Sequence, residues 1–268
     1  METDPRVIAR LRAAGCVWAE DEAALLTAAA GPPAELDAMV ERRAAGEPLE
    51  QILGWAEFRG LRVLVDPGVF VPRRRSEFLV SVGAALTRER GLAEPPVIVD
   101  LCCGTGALGL AVAAEFPGAE LHAADLDPAA VACARRNVEP AGGHVYAGDL
   151  FDALPDSLSG RIDVLICNAP YVPTAEIAFM PAEARDHEAP MALDGGRDGL
   201  AILRRASAGA AGWLAPGGVL LVETSERQAS SMADAMTAAG LAARVHEDDE
   251  SGATVVTGAT AGGKTVRP

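Results

Sequence analysis

The sequence predicts an α/β fold built around a mostly parallel sheet with helices on both faces. From about residue 76, short apolar runs of strand length alternate with stretches whose apolar residues recur at helical spacing. A glycine-rich stretch, residues 104–109, directly follows the first of these runs, as in the strand-to-helix turns of such sheets. With 268 residues, 50% of them hydrophobic, the chain is long enough for one large domain or two small ones.

Residues 1–53 are predicted to form a small helical domain ahead of the sheet. Apolar residues recur three or four positions apart in this stretch. The pattern is interrupted by glycine and proline at Gly15, residues 31–33 and residues 46–48. Because these residue types end helices, the sequence predicts several short amphipathic helices.

Residues 54–75 are predicted to form a β-hairpin linker between the two parts of the chain. Apolar residues at Phe58, Leu61 and Val63 alternate with charged ones around Gly60. A period of two is typical of a strand with one buried face, and the glycine marks the turn.

Seven strands are predicted for the domain that covers residues 76–258. Apolar runs predict five parallel strands, at residues 97–101, 120–124, 144–146, 162–167 and 218–223. The weaker stretch over residues 242–258 predicts an antiparallel pair at the sheet edge. The end of the chain, residues 259–268, is rich in Gly and Thr and is predicted to be a flexible tail.

The charge balance and the apolar pattern exclude several classes of protein. The chain has 23 Lys and Arg against 38 Asp and Glu, a formal net charge of −15, whereas general nucleic-acid binders neutralise phosphates with basic side chains. No apolar run reaches the roughly 18 residues of a membrane span, and the first residues carry acids and no signal core. We therefore expect a cytoplasmic protein without membrane or direct nucleic-acid contacts. Five cysteines without a Cys-x-x-Cys pair and four scattered histidines predict no metal site.

The turn after the first predicted strand indicates a site for a nucleotide-like ligand. Gly104 and Gly106 let the backbone approach a ligand closely, and the helix that follows offers free N–H groups. Together with Gly109 they match the G-x-G-x-x-G pattern, which alone would favour a nicotinamide or flavin enzyme. Two acids change this interpretation. Asp100 lies four residues before the first glycine, which is typical of S-adenosylmethionine folds, and Asp125 ends the second strand, where its carboxylate can accept from both ribose hydroxyls.

A second candidate contact follows the third predicted strand. Asp149 can accept a hydrogen bond from an adenine amino group while Leu150 covers the face of the ring. The alternative is a plain turn, since Gly-Asp pairs such as that at Gly148 commonly form turns.

The candidate catalytic residues follow the fourth predicted strand, in the order Asn168, Ala169, Pro170, Tyr171. Ligands of open α/β sheets bind beyond the carboxyl ends of the strands, so these residues share a crevice with the glycine loop. The side-chain carbonyl of Asn168 and the main-chain carbonyl of Ala169 can together accept both hydrogens of a planar –NH2 group. This arrangement suits methyl transfer to an amide or exocyclic amine, in which catalysis consists mainly of positioning and electrostatics.

These motifs resemble the HemK/PrmC family, the release-factor glutamine N5-methyltransferases. The similarity extends from about residue 51 to residue 256 and includes the linker, the cofactor segments, and Asn168 to Tyr171 in the place of the family's Asn-Pro-Pro-Tyr signature. The most specific match is the stretch over residues 183–200, which resembles a segment of this family and not of methyltransferases generally.

The resemblance implies a Rossmann-like, seven-stranded methyltransferase fold that uses S-adenosyl-L-methionine. It implies that the cofactor's methionine part is surrounded by Cys102, Cys103, Gly104, Thr105 and Gly106, with Asp100 in the same motif and Asn168 also among the cofactor-binding residues. Asp125 would then bind the ribose, Asp149 and Leu150 would border the adenine, and Asn168 and Ala169 would hold a glutamine amide beside Tyr171. The implied activity is protein-(glutamine-N5) methylation of the Gly-Gly-Gln loop of a peptide chain release factor, docked by the N-terminal helical domain of a monomeric enzyme.

Three departures from the family pattern predict a divergent relative. Ala169 replaces the first proline of the signature, so the fixed φ that positions the following carbonyl is lost. The family's Pro-Arg-Pro-Glu-Thr-Glu segment reads here as residues 72–77 with arginine at 73, 74 and 75, which indicates either a solvated face or a contact with an acidic or phosphate-bearing partner. Thr254 stands where a basic residue is expected.

Two other functions remain open at this point. One is N-methylation of a different amine, in a small metabolite or in DNA or RNA, because Asn-Pro-Pro-Tyr-like motifs identify an amine target more than a protein target. The other is a catalytically idle protein that keeps the cofactor fold and docks a partner. Asn168 and Tyr171 match the signature and favour an active enzyme. Ala169 departs from the signature and is consistent with the catalytically idle alternative.

Overall fold

The computed structural model describes residues 4–262 and begins with four short helices. The helices are α1 (Pro5–Ala13), α2 (Ala19–Ala29), α3 (Pro33–Ala44) and α4 (Leu49–Leu53). Asp4 caps α1 by accepting from the Arg6 backbone N–H, and prolines begin α1 and α3, where a missing N–H leaves no hydrogen bond unmade. Their apolar faces, with Leu11, Leu26 and Val40 fully buried, pack into a core of their own.

A β-hairpin follows the helices and packs against the larger domain. It consists of β1 (Trp55–Phe58) and β2 (Leu61–Leu64), paired antiparallel. Arg59 and Gly60 have φ values of 49° and 76°, the paired positive values that a tight two-residue hairpin turn needs. The side chain of Asn137 accepts from the Leu64 N–H at 2.8 Å and donates to the Leu64 carbonyl at 2.9 Å, which fixes the hairpin on the sheet domain.

The remaining elements alternate between strand and helix. They are α5 (Glu77–Arg90), β3 (Val97–Leu101), α6 (Ala107–Ala114), β4 (Glu120–Asp125), α7 (Pro128–Val138), β5 (His144–Ala147), β6 (Ile162–Cys167), α8 (Ala182–His187), α9 (Ala201–Trp213), β7 (Leu214–Thr224), α10 (Glu226–Ala238), β8 (Ala242–Asp248) and β9 (Ala253–Ala259).

The strands form one seven-stranded sheet in the order β5-β4-β3-β6-β7-β9-β8, which confirms the predicted fold class. β3 to β7 are parallel, and β9 pairs antiparallel with both β7 and β8. β7 begins at Leu214, four residues before the predicted start, because the chain pairs with Ile162 before the bend at Gly217 and Gly218. Two large clusters of apolar side chains cover the two faces of the sheet.

The topology creates a crevice at the carboxyl edge of the sheet. β3 has β4 on one side and β6 on the other, so the chain changes direction across the sheet at this point. The loops after β3 and β6 therefore leave toward opposite faces and open a cleft between them.

The predicted tail begins inside a strand, since Ala259 is the last residue of β9. Thr260 donates its N–H to the Gly218 carbonyl at 3.0 Å and its hydroxyl to the Ala215 carbonyl at 2.7 Å. The rest of the predicted tail, residues 263–268, lies outside the described residues. Within residues 4–262, every helix is too short or too polar to cross a membrane.

Candidate active site

A cleft at the carboxyl ends of β3, β4, β5 and β6 contains most of the predicted site residues. Those that line it are Cys102, Cys103, Gly104, Thr105, Asp125, Asp149, Leu150, Asn168, Ala169, Pro170 and Tyr171. Asp100 and Gly106, which were also predicted to contact the cofactor, do not line it.

Asp100 lies behind the glycine loop and holds α6 against β3. Its Oδ2 accepts from the Gly109 N–H at 2.9 Å, while its Oδ1 is buried without a partner among the described residues. Burial raises the pKa of this carboxyl to about 8. A Cβ atom at position 109 would lie 3.0 Å from the Asp100 Cβ, so Gly109 serves close packing of the helix on the strand.

The other two glycines of the loop differ in role. Gly104 has a φ of 56°, and a Cβ atom placed on it would meet no other atom within 4 Å. The space above Gly104 therefore belongs to the cleft. Gly106 has a φ of 80°, and its added Cβ would lie 2.6 Å from a methyl group of Val138. Gly106 therefore allows the loop to pack on the end of α7.

Cys102 adopts a backbone conformation that favours glycine. Its φ is 55°, and it lies between β3 and Gly104 with its side chain half-buried in the cleft wall. Non-glycine residues in this region store strain, which clusters at ligand sites. The nearby Cys167 thiol and burial raise the pKa of the Cys102 thiol, and burial raises that of Cys103. Both side chains are therefore neutral wall groups and not nucleophiles.

Asp125 ends β4 and binds the glycine loop directly. Its Oδ2 accepts from the Gly104 N–H at 2.8 Å and its Oδ1 from the Asp127 N–H at 2.9 Å. Burial raises the pKa of this carboxyl. Each carboxylate oxygen keeps a second lone pair, so Asp125 can hold the loop and accept from a pair of hydroxyl groups at the same time.

The turn after β5 is held by an arginine that sequence reasoning missed. Arg205 on α9 donates to Asp149 Oδ2 at 2.8 Å, and both residues line the cleft. Leu150 has a φ of 50°, which turns the chain sharply beneath the cleft. No local pattern marks Arg205, because it lies 56 residues from its partner.

The loop after β6 lines the cleft and carries two oxygens that are free to accept hydrogen bonds among the described residues. The side-chain nitrogen of Asn168 lies 3.5 Å from the Ser76 hydroxyl, a long contact, and its Oδ1 accepts from no group in residues 4–262. Ala169 is buried, and its carbonyl accepts from no group in residues 4–262. These two oxygens are the acceptors that a planar –NH2 group requires.

Tyr171 is held by two charged residues from distant parts of the chain. Its hydroxyl donates to Glu223 Oε1 at 2.7 Å and accepts from Arg75, whose Nε also donates to Glu223 Oε1 at 3.0 Å. Because arginine only donates, the phenolic proton must point to Glu223. Burial, followed by the charge of Glu223, raises the pKa of Tyr171, so the phenol stays protonated and does not act as a base.

The catalytic loop is braced from outside the cleft by the family-like stretch, residues 183–200, and by Gln228 on α10. The Gly195 N–H donates to the Val172 carbonyl at 2.9 Å, and the Gln228 side chain donates to the Tyr171 carbonyl at 2.9 Å. A Cβ atom at Gly195 would lie 2.7 Å from the Pro170 carbonyl oxygen, and one at Gly199 would lie 2.2 Å from that of Tyr171. This packing supplies rigidity that Ala169, unlike proline, does not provide.

Two members of the arginine run pair with buried acids of the same chain, although Arg75 is also exposed. Arg73 donates to Glu188 Oε1 at 2.5 Å and Arg75 pairs with Glu223, and both arginines line the cleft. Arg74 is exposed and contacts no acid among the described residues. Sequence reasoning noted the run but did not identify the two glutamates as its partners.

Comparisons with known proteins agree with this fold. Residues 60–200 match the family model described as "Methyltransferase small domain". The chain is 42% identical over 201 residues to a release factor glutamine methyltransferase of Streptomyces coelicolor, covering 74% of this chain and 71% of that protein. It is 38% identical over 219 residues to a 4-amino-L-phenylalanine/4-methylamino-L-phenylalanine methyltransferase of Streptomyces pristinaespiralis, covering 80% of this chain and 74% of that protein.

Solved structures show the same fold at lower sequence identity. A ribosomal protein L11 methylase from Lactobacillus delbrueckii subsp. bulgaricus is similar with a TM-score of 0.51 and 14% identity, over 74% of this chain and 84% of that chain. The methyltransferase match also means that the G-x-G-x-x-G pattern does not indicate a nicotinamide enzyme here.

Proposed function

We infer the function from one premise, which is that this chain belongs to the release factor glutamine methyltransferase family. It is an S-adenosylmethionine-dependent methyltransferase, and its reaction is transfer of a methyl group to the side-chain amide nitrogen (N5) of a glutamine in a protein. We propose that this glutamine lies in the Gly-Gly-Gln loop of a peptide chain release factor. The observation that carries the proposal is the pair of oxygens on Asn168 and Ala169, in one cleft with Gly104 and Asp125.

The cofactor half of the cleft fits S-adenosylmethionine. The open space above Gly104 admits a ligand close to the backbone, and Asp125 keeps lone pairs that would accept from the two ribose hydroxyls. Asp149 lines the same cleft and would accept from the adenine amino group. When bound, the cofactor supplies an electrophilic methyl group on its sulfonium. Cys102, Cys103 and Thr105 would complete the wall around its methionine part.

The other half of the cleft, which would hold the methyl acceptor and is called the acceptor half below, would make the amide nitrogen reactive by fixing its orientation. The lone pair of an amide nitrogen is delocalised, so the group is a poor nucleophile until its plane is fixed. Asn168 Oδ1 and the Ala169 carbonyl would each accept one N–H, and both bonds strengthen as positive charge develops on the nitrogen. Tyr171 would pack beside the amide. The neutral phenol and thiols around it are not bases, so the released proton would go to water.

The N-terminal helical domain contacts one wall of the cleft. Gln51 on α4 donates to the Val69 carbonyl at 3.1 Å, and Arg43 on α3 lies 3.7 Å from Glu183. We propose that residues 5–53 position the protein acceptor at the mouth of the cleft, in line with the docking role that the family resemblance implies.

A second acceptor is favoured by one relative. The methyltransferase of Streptomyces pristinaespiralis is named for 4-amino-L-phenylalanine, a free amino acid whose target nitrogen is an arylamine. An arylamine –NH2 also has two hydrogens and a delocalised lone pair, so the same pair of oxygens would hold it. The second candidate function is therefore N-methylation of such a small amine.

Mass spectrometry of a purified release factor, incubated with this protein and S-adenosylmethionine, tests the first candidate. A gain of one methyl group on the Gly-Gly-Gln glutamine is expected. Asn168→Ala should lower kcat by about a hundredfold, as for lost preorganised groups in other active sites, with unchanged affinity for S-adenosylhomocysteine by calorimetry. An unmethylated release factor, with intact cofactor binding, would reject the release factor as the acceptor.

A further inference from the structure

The charged side chains that line the acceptor half of the cleft, among the described residues, are all positive. We define this half as the lining residues within 68–76, 168–172 and 191–193, together with Met180. Its only charged side chains among the described residues are those of Arg73 and Arg75. Most of its other side chains are apolar, apart from Ser76, Asn168 and Tyr171.

Both arginines are bound from behind by buried acids. Arg75 pairs with Glu223 at 3.0 Å and Arg73 with Glu188 at 2.5 Å. The side chains of Glu223 and Glu188 are 3% and 0% exposed and do not line the cleft, whereas those of Arg75 and Arg73 are 48% and 30% exposed. The guanidinium groups therefore lie between the two acids and the cleft. A ligand in the cleft contacts their N–H donors and not the carboxylates behind them.

The guanidinium groups are held in place and keep donors available. Arg75 lies over the ring of Tyr171, 5.6 Å from its centroid, and Arg73 lies over that of Phe70, at 4.9 Å. Described residues accept from Nε and Nη2 of Arg75 and from Nη2 of Arg73, but from Nη1 of neither. A fixed guanidinium with free N–H groups matches the geometry of a carboxylate.

This cluster lies next to the proposed amine position. Arg75 donates to the hydroxyl of Tyr171 and lies 5.6 Å from the centroid of its ring, and Tyr171 is the side chain proposed to pack beside the amide. A molecule whose –NH2 lies beside Tyr171 would therefore have Arg75 within reach. A carboxylate on that molecule would gain charge-assisted hydrogen bonds, whereas an ammonium group would meet a like charge.

We propose that Arg75, together with Arg73, is specificity-determining and binds a carboxylate of the methyl acceptor. The inference rests on the proposed function for the position of the –NH2 group. The shared chemistry, a carboxylate near a neutral –NH2, has two sources. One is an acidic residue beside the target glutamine of a protein, and the other is the α-carboxylate of a free amino acid.

Calorimetry with S-adenosylhomocysteine present tests this directly, because binding is measured without turnover. The peptide probes are three Gly-Gly-Gln peptides that differ only in the residue after the glutamine, which is Glu, Ala or Lys. The small probes are 4-aminophenylalanine and its neutral α-carboxamide. We expect a carboxylate probe to bind about tenfold or more tighter than its neutral match, the range for hydrogen bonds to charged groups, and the Lys peptide to bind weakest.

Arg75→Met should abolish this preference, and Arg74→Met is the matched control because within residues 4–262 Arg74 contacts no acid and does not line the cleft. Arg75→Met leaves Glu223 without its cationic partner and can lower stability, so Arg75→Lys is the second variant. Lysine keeps the positive charge but lacks the planar pair of N–H donors of a guanidinium group. Arg75→Lys should therefore reduce the preference for a carboxylate without removing it. Unchanged affinity for S-adenosylhomocysteine would show that each variant is folded.

Each outcome decides the inference separately from the proposed function. Equal binding of carboxylate and neutral probes, equal behaviour of Arg75→Met and Arg74→Met, or no binding of any probe overturns the inference. Methylation of the release factor would still stand in those cases. A carboxylate preference that depends on Arg75, with an unmethylated release factor, supports the inference and rejects the proposed protein acceptor. Preference among the peptides or the small probes identifies the source of the carboxylate.

Discussion

Gln228 should be the main tether of the catalytic loop, although it touches neither ligand position. It is buried on α10, and its side-chain nitrogen donates to the Tyr171 carbonyl and to the Asp198 carbonyl, each at 2.9 Å. Its side-chain oxygen accepts from the Ser225 N–H at 3.1 Å and closes the N-terminal cap of α10. Gln228→Met keeps the length of the side chain and removes all of these bonds.

The expected loss of unfolding free energy is about 2.5 to 6 kcal/mol, the sum of the lost hydrogen bonds and the lost cap. Two partly buried carbonyl groups would lose their donor, and each such loss costs about 1 to 3 kcal/mol when the group stays unpaired. Water reaches this part of the loop, which favours the lower half of the combined range. Loss of the cap adds about 0.5 to 2 kcal/mol at most.

Urea denaturation would measure the stability, and steady-state kinetics the function. Arg227→Met is the matched control, since Arg227 is exposed on the same helix and makes no described side-chain contact. We expect kcat to fall in Gln228→Met, because the loop that carries Asn168 and Tyr171 loses a tether, while affinity for S-adenosylhomocysteine stays within twofold or so of wild type. Wild-type stability, or a loss of activity that follows cofactor affinity, would refute the reasoning.

Three further predictions concern single residues that line the cofactor half of the cleft or lie directly behind it. Asp125→Ala should weaken S-adenosylhomocysteine binding by about 1 to 3 kcal/mol in calorimetry, and wild-type affinity would show that the ribose is held elsewhere. Cys102→Gly should relieve left-handed strain of about 1 kcal/mol and raise Tm or leave it unchanged, whereas a clear drop in Tm would contradict a strained Cys102. Burial raises the pKa of Asp100 to about 8, so this carboxyl stabilises the fold while protonated, and that contribution is lost as the pH rises from about 4 to about 8. The unfolding free energy of Asp100→Asn, measured by urea denaturation, should therefore fall less across this pH range than that of wild type. Equal dependence of the unfolding free energy on pH in the two proteins would contradict the raised pKa of Asp100.

The strands and the positions of the candidate motifs could be predicted from the sequence because both are local properties. An apolar run such as residues 162–167 is buried on both faces whatever it pairs with, and its length alone predicts a strand. Topology rules then place Gly104, Asp125 and Asn168 at one edge of the sheet, since each follows the carboxyl end of a parallel strand. All three line the cleft of the structure.

Roles within a motif were less predictable. Asp100 and Gly106 belong to the same short stretch as Gly104, but the sequence does not show which way each one faces. The direction depends on neighbours from other elements. Gly106 packs against Val138 at the end of α7, and Asp100 is covered by the first turns of α6.

The sequence by itself determined the fold class, the order of its parts, and the chemistry that the cleft can perform, because these depend on periodicity and on residues a few positions apart. Only the tertiary structure decided what supports that chemistry. Arg75, Tyr171 and Glu223 meet across 148 residues of chain, and Gln228 reaches back 57 residues to the catalytic loop. A buried acid needs a partner wherever the chain folds to supply one, and a single sequence does not record which distant basic residue that is.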